Sequence, residues 1–161
     1  TDRLNQPQGQ VYQQSCGAIL GDGACGVDLN APAFSGMGQV LGVDEAGRLR
    51  VSGLSGFAAG WFERGRLEMQ SGAAIGLGGA VKFDRIVAAD RVIELWSRMA
   101  AGVAVGDTVR LVAGCDKRAA TCKAKFVNFL NFRGFPHIPG EDWLASYPVR
   151  SRSNDGGSLG R

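Results

Sequence analysis

Four cysteines are the residues of this chain best equipped for chemistry, and they fall in two pairs. Eight residues separate Cys16 from Cys25 and six separate Cys115 from Cys122, with a long glycine-punctuated stretch between the pairs. Three chemistries suit four thiols. Two disulfides satisfy the even count, but nothing marks the sequence as secreted, and 161 residues can bury a core without staples. Structural zinc takes four thiolates, but its knuckles bring ligands in at roughly two to four intervening residues, and both spacings here are looser. An iron–sulfur cluster also takes four thiolates and accepts varied loops.

The neighbours of the cysteines bear on this choice without closing it. Lys117, Arg118, Lys123 and Lys125 crowd the second pair, and a four-thiolate metal group carries negative charge that such residues offset. Gly17, Gly21, Gly23 and Gly26 surround the first pair. They exclude a helix interior there and leave backbone N–H groups free to bond sulfur. A helix start near Cys122 favours its thiolate. The same basic residues would serve equally well as a solvated face, so all three readings stay open on the residues alone.

Other candidate sites are weaker. His137 is the lone histidine; with Glu141 and Asp142 close by it invites an acid–base role, but a loop histidine between Pro136 and Pro139 is the simpler reading. Gly76-Leu77-Gly78-Gly79 lacks the lysine of a phosphate loop, and no Gly-x-Ser-x-Gly elbow joins a strand to a helix. The chain therefore reads as a non-enzyme. A net charge of +3 without a clustered basic stripe argues against a nucleic-acid binder. No apolar run reaches transmembrane length, and no signal peptide is recognised.

The elements that must position the cysteines read as mostly β. Twenty-five glycines without a collagen period imply many turns and short strands. Arg48 to Ser52 alternates polar and apolar. Trp61 to Glu63 and Arg66 to Gln70 flank Arg64-Gly65, a hairpin signal. Val81 to Phe83 and Val92 to Trp96 continue the pattern. Val103 to Val105 and Val109 to Val112 read as a second hairpin about Gly106-Asp107, whose last strand runs into Gly114-Cys115. Thr121 reads as an N-cap. Cys122, Phe126, Phe129 and Leu130 then share one helical face, and Gly134 and Pro136 end the helix. Trp61, Phe62, Trp96, Phe126, Phe129 and Phe132 are assigned to the core, whereas Trp143 and Tyr147 are left for contact with a neighbouring subunit.

Several runs are more distinctive than their periodicity. They are Gly114-Cys115-Asp116-Lys117, Thr121-Cys122, Phe126-Val127-Asn128, Asn131-Phe132-Arg133-Gly134-Phe135-Pro136 and Ile138-Pro139-Gly140. Upstream stand Leu4-Asn5-Gln6-Pro7, Tyr12-Gln13 with Cys16, Cys25-Gly26-Val27-Asp28-Leu29, and Trp61-Phe62-Glu63 with Gly65-Arg66-Leu67. Together they resemble the C-terminal domain of a phage-tail hub family. That family includes the hub protein of alphaproteobacterial gene transfer agents and is similar to the tail tip protein L of phage lambda. The resemblance covers nearly the whole chain and is densest at the two cysteine pairs.

The resemblance implies a structural baseplate role. The hub of such a tail sits between the distal ring that ends the tail tube and the central fibre or penetration protein. It forms a homotrimer around a channel through which DNA leaves without sequence-specific binding. It belongs to the tail tip of a virion-like particle assembled in the bacterial cytoplasm, with no membrane partner. Carried over residue by residue, the resemblance makes Cys16, Cys25, Cys115 and Cys122 the ligands of a 4Fe–4S cluster, with zinc as the alternative cofactor. The expected fold is mainly β, a small barrel or sandwich of short strands from about Val27 to Ala113 with one short C-terminal helix, stapled by the four-cysteine metal cluster. Residues 1–14 are expected as a linker or incoming strand, 15–145 as the β-rich cluster-binding domain and 146–161 as a flexible tail. The competing functions are a small iron–sulfur electron carrier and a cell-wall hydrolase module of a tail tip.

Overall fold

The computed structural model describes residues 12–99 and 102–138. Most of the expected linker, the expected tail, Trp143, Tyr147, and the acidic pair Glu141 and Asp142 lie outside the described residues.

Six strands form one antiparallel sheet that closes on itself. They are β1 (Ser35–Val43), β2 (Leu49–Ser52), β3 (Arg66–Met69), β4 (Gly78–Val87), β5 (Asp90–Leu95) and β6 (Thr108–Val112). The order around the barrel is β1-β2-β5-β4-β3-β6. β1 completes the circle by pairing on both sides, Val40 with Val51 of β2 and Gly38 with Val109 of β6. One short helix, α1 (Ala119–Lys125), and a 3-10 turn at Phe129–Asn131 follow. The expected barrel or sandwich is thus a barrel.

Period-two alternation fills it, because successive side chains of a strand point to opposite faces. Leu49 and Val51, Leu67 and Met69, Val109 and Leu111 all point inward and are buried. Val40, Val81 and Ile93 complete this inner layer. Each such side chain contributes about 1.5–3 kcal/mol by leaving water.

A bulge between Val81 and Phe83 breaks the alternation in β4. It turns Val81 and Asp84 inward together and leaves Phe83 exposed. Asp84 therefore enters the core, where Arg91 of β5 meets it. Arg91 Nη1 stands 2.5 and 2.6 Å from the two carboxylate oxygens, and both side chains are almost wholly buried. Asp84 also accepts the Phe62 N–H at 2.8 Å, and Arg91 donates to the carbonyls of Leu54, Phe57 and Ala58. The pair pins the loop between β2 and β3 to the barrel and holds Phe62 in the core.

Five local expectations are corrected. Trp61 to Glu63 is not a strand: Phe62 is pinned by Asp84, Arg64 takes a left-handed φ of 61°, and β3 pairs with β4 and β6 instead. Val103 to Val105 is not a strand either, since the Asp107 carboxylate takes the Ala104 N–H at 2.9 Å and bends the chain into a turn. Thr121 lies inside α1, not at its cap; Arg118 holds the cap position and Thr121 Oγ1 donates to Asp116 at 2.9 Å. The helix stops at Lys125, well before Gly134, because Val127 has a φ of 49° that no helix can carry. Phe129 and Leu130 therefore do not share a face with Cys122, and Leu130 is almost fully exposed. Of the aromatics assigned to the core, Phe62 and Phe126 are buried, but Trp96 and Phe129 face solvent.

Candidate metal centre

Beside the barrel lies a second, smaller apolar cluster of Val27, Ala113 and Phe126, with Leu20, Leu29, Phe34 and Trp61 packed around it. Cys25 and Cys115 belong to its rim. Trp61 touches both cores and joins them.

Cys115 reaches this site because β6 runs on past Val112. Gly114 makes that possible: any Cβ there would collide with the backbone of Glu63, Arg64 and Gly65. Lys125 braces the same junction. Its ammonium donates to the carbonyls of Trp61 and Gly114, the latter at 2.8 Å, and lies 4.6 Å from the centre of the Trp61 ring. Burial pushes its pKa down, partly opposed by the charges of Cys115 and Asp116. Cys122 enters in the first turn of α1, where its N–H meets the Arg118 carbonyl at 3.0 Å.

The first pair arrives on a loop shaped by Asp22. Its carboxylate accepts the N–H groups of Cys25 at 2.7 Å and Ile19 at 2.9 Å. Those two bonds, that from Cys25 first, hold its pKa below the ordinary value. The loop docks by main-chain bonds, Cys16 N–H to Lys117 O and Gly17 N–H to Arg133 O, both 2.9 Å.

Cys16, Cys25, Cys115 and Cys122 consequently line one pocket, together with Ala18, Leu20, Val27, Lys117, Phe126 and Asn128. All four are free thiols, so the disulfide reading finds no support in the geometry. Burial raises the Cys122 pKa, and the sulfurs of Cys115, Cys16 and Cys25 raise it further. A metal group would supply positive charge that favours the thiolate at such a position. Among the described residues no set of three or more Cys, His, Asp or Glu is close enough for a single metal ion. A lone zinc needs four ligands at about 2.0–2.3 Å from one centre, whereas a polynuclear cluster spreads four thiolates over several irons.

Donors to sulfur are also in place. The Lys117 N–H lies 3.3 Å from Cys115 Sγ, and the Arg133 N–H lies 3.4 Å from Cys16 Sγ. Hydrogen bonds of this kind orient and stabilise thiolate ligands. The residues present therefore fit a four-thiolate cluster.

Of the basic residues near the second pair, Lys117 and Lys125 are committed to backbone carbonyls, Lys117 to that of Ala18. Arg118 is a surface residue. Asp22, Asn128 and Gly114 are the site residues that sequence reasoning missed. An Asp three residues before a cysteine in a glycine-rich loop was a usable signal for the first; the other two stood in the distinctive runs quoted above, without a role being read for them. His137 is exposed and is not among the residues lining the pocket. Gly76 to Gly79 spans a turn and the start of β4, not a phosphate loop.

Residues 60–142 match the family described as "Phage conserved hypothetical protein BR0599", and the chain belongs to that phage family. The chain is also similar to one from a solved structure entitled "Virion of native gene transfer agent (GTA) particle", with 56% sequence identity, a TM-score of 0.79 and 98% of this chain covered. It spans about half, 54%, of the length of that solved chain. No curated protein matches it. No helix among the described residues is long and apolar enough to cross a membrane.

Proposed function

We propose that this chain is a structural, non-enzymatic part of the tail tip of a gene-transfer-agent-like particle, and that its cysteine pocket holds a 4Fe–4S cluster. The observation that carries the cluster is the meeting of two cysteine pairs, far apart in the chain, at one pocket with every thiol free. The particle assignment is supported by the phage family and by the 56% identity to a chain of a virion.

When bound, the cluster supplies iron–sulfur bonds that cross-link the four cysteines. The chain does the rest. Asp22 sets the loop that carries Cys25, Gly114 lets β6 deliver Cys115, and α1 presents Cys122. Leu20, Val27 and Phe126 shield the pocket from water. The cross-link would make metal binding part of the folding free energy of this region, stiffening loops that the barrel alone does not hold.

The wider placement rests on the sequence resemblance: a homotrimeric hub around the DNA exit channel, between the distal tail ring and the central fibre. An anaerobic preparation tests the cluster. It should be brown and carry about four irons and four sulfides per chain. Colourless protein with one zinc per chain, or with no metal, would sink the cluster. Cys→Ser at any of the four positions should abolish iron; a variant that keeps it removes that cysteine from the ligand set. Sedimentation of the intact particle component separates a trimer from a monomer.

A further inference from the structure

We infer that Asn128 is a positioning residue for the cysteine site, locking Cys25 to Cys122 and setting a side-chain amide against the Cys25 sulfur. This rests on the cluster reading above. Two braces cross the pocket, and each joins one cysteine of the first pair to one of the second. Lys117 makes the first with its main chain: its carbonyl accepts the Cys16 N–H at 2.9 Å and its N–H points at Cys115 Sγ at 3.3 Å. Asn128 makes the second. Its N–H donates to the Cys122 carbonyl at 3.1 Å; its own carbonyl accepts the Cys122 thiol at 3.3 Å only while that sulfur is protonated, and this second bond ends when the sulfur becomes a ligand. Its side-chain Nδ2 donates to the Cys25 carbonyl at 2.5 Å and stands 3.8 Å from Cys25 Sγ. Asn131 Nδ2 fixes the amide by donating to its Oδ1 at 2.8 Å.

Both braces sit at left-handed backbone that is not glycine. Lys117 has a φ of 65°, and Val127, just before Asn128, has a φ of 49°. A β-branched residue at that φ is a steric outlier. Val127 gains little in return from its own side chain, which is 87% exposed. What the reversal achieves is the placement of Asn128, whose main chain then faces Cys122 while its amide faces Cys25. Strain of this kind persists where the surroundings over-determine it, and it collects at functional sites.

The Asn128 brace differs from the Lys117 brace in being carried by a side chain, so substitution can remove it. It also offers an N–H to a sulfur. Such a donor holds a metal-bound thiolate in place and stabilises added negative charge, which raises the reduction potential of the group it serves. Polar partners one step out from the ligands typically change metal affinity about 10- to 100-fold.

The test uses the full chain prepared anaerobically as wild type, Asn128→Ala, Asn128→Asp and Val127→Gly. Iron and sulfide are assayed, release of iron to a ferrous chelator is timed, and the midpoint potential is titrated optically. Both Asn128 variants should release iron about ten-fold faster or more, or fail to load it while the far-UV spectrum of the barrel stays native. Any loaded Asn128→Ala protein should show a lower potential than wild type. Val127→Gly relieves the backbone and keeps the amide, so it should retain iron as the wild type does. Wild-type release and potential in both Asn128 variants would overturn the inference, as would a Val127→Gly protein that loses iron as fast as Asn128→Ala. A wild type free of iron and sulfide is a separate outcome: it fells the cluster reading, and this inference with it.

Discussion

The barrel and the cysteine pocket are held together by different physics. The barrel buries a continuous layer of Val, Leu, Ile and Met between paired strands. The pocket region adjoins an apolar cluster with only three buried members, and loops make up most of the rest. Its order comes from side chains bonded to backbone, Asp22 to Cys25, Asn128 to Cys25 and Lys125 to Gly114. Hydrophobic burial is non-directional and cooperative, and it survives the loss of single contacts. A polar network is directional and fails where one member is removed. The barrel should therefore stand alone, and the pocket should depend on what its thiols hold.

The sharpest way to break that contrast is to attack the buried ion pair on which the barrel also relies. Arg91→Ala leaves the Asp84 carboxylate buried without its partner, at a cost of about 3–5 kcal/mol. Denaturant unfolding should show this as a large drop in midpoint, and Phe62 should lose its hold on the core. A smaller effect, confined to the other region, is expected from preparing the chain without the proposed cluster or from Cys115→Ser. Hydrogen exchange should then speed up around Cys16, Cys25 and α1 while β2, β5 and β6 stay protected. Equal loss of protection in both regions would show that they fold as one unit.

Titration sharpens the contrast further. The Cys122 pKa is raised by burial and by the other sulfurs. In metal-free protein the unfolded thiol ionises first as pH climbs past the ordinary 9.0. The stability linked to this proton is therefore complete below that pH and is lost as pH rises through the folded value. Melting of the pocket region should fall on that alkaline limb, and Cys122→Ser should flatten it. Asp22 works at the other end and more weakly. Its pKa is lowered, so its contribution is present above the ordinary 3.8 and fades as pH falls through the folded value. Asp22→Asn should remove that acid dependence from amide exchange at Ile19 and Cys25, with little change elsewhere.

The residues that could be read from sequence are those with a repeating pattern. Leu49 and Val51 or Val109 and Leu111 announce strands because alternation survives intact in them. β1 escaped notice because glycine is a poor strand former. Gly36 and Gly38 are needed there for close approach: a Cβ on the first would strike Leu54 and Phe57, and on the second Val51 and the Ser52 carbonyl. Asp84 and Arg91 escaped notice, since a bulge that shifts the inward phase of β4 leaves no mark in composition. At the site, the cysteines could be picked out by type and spacing. Asn128 stood in one of the distinctive runs, but its role could not be read, because its place depends on a left-handed Val127 that no sequence rule anticipates.

Closure of the sheet has one more consequence. β1 and β6, the first and last strands, pair with each other, so among the described residues the sheet has no edge strand that is open along its whole length. Among the described residues, sheet extension by a neighbour would find only short stretches such as the outer half of β4. Outward side chains offer more, among them exposed Trp96, Phe83 and Leu130. Copies packed side by side would thus meet as finished bodies, each able to be replaced without unravelling the next.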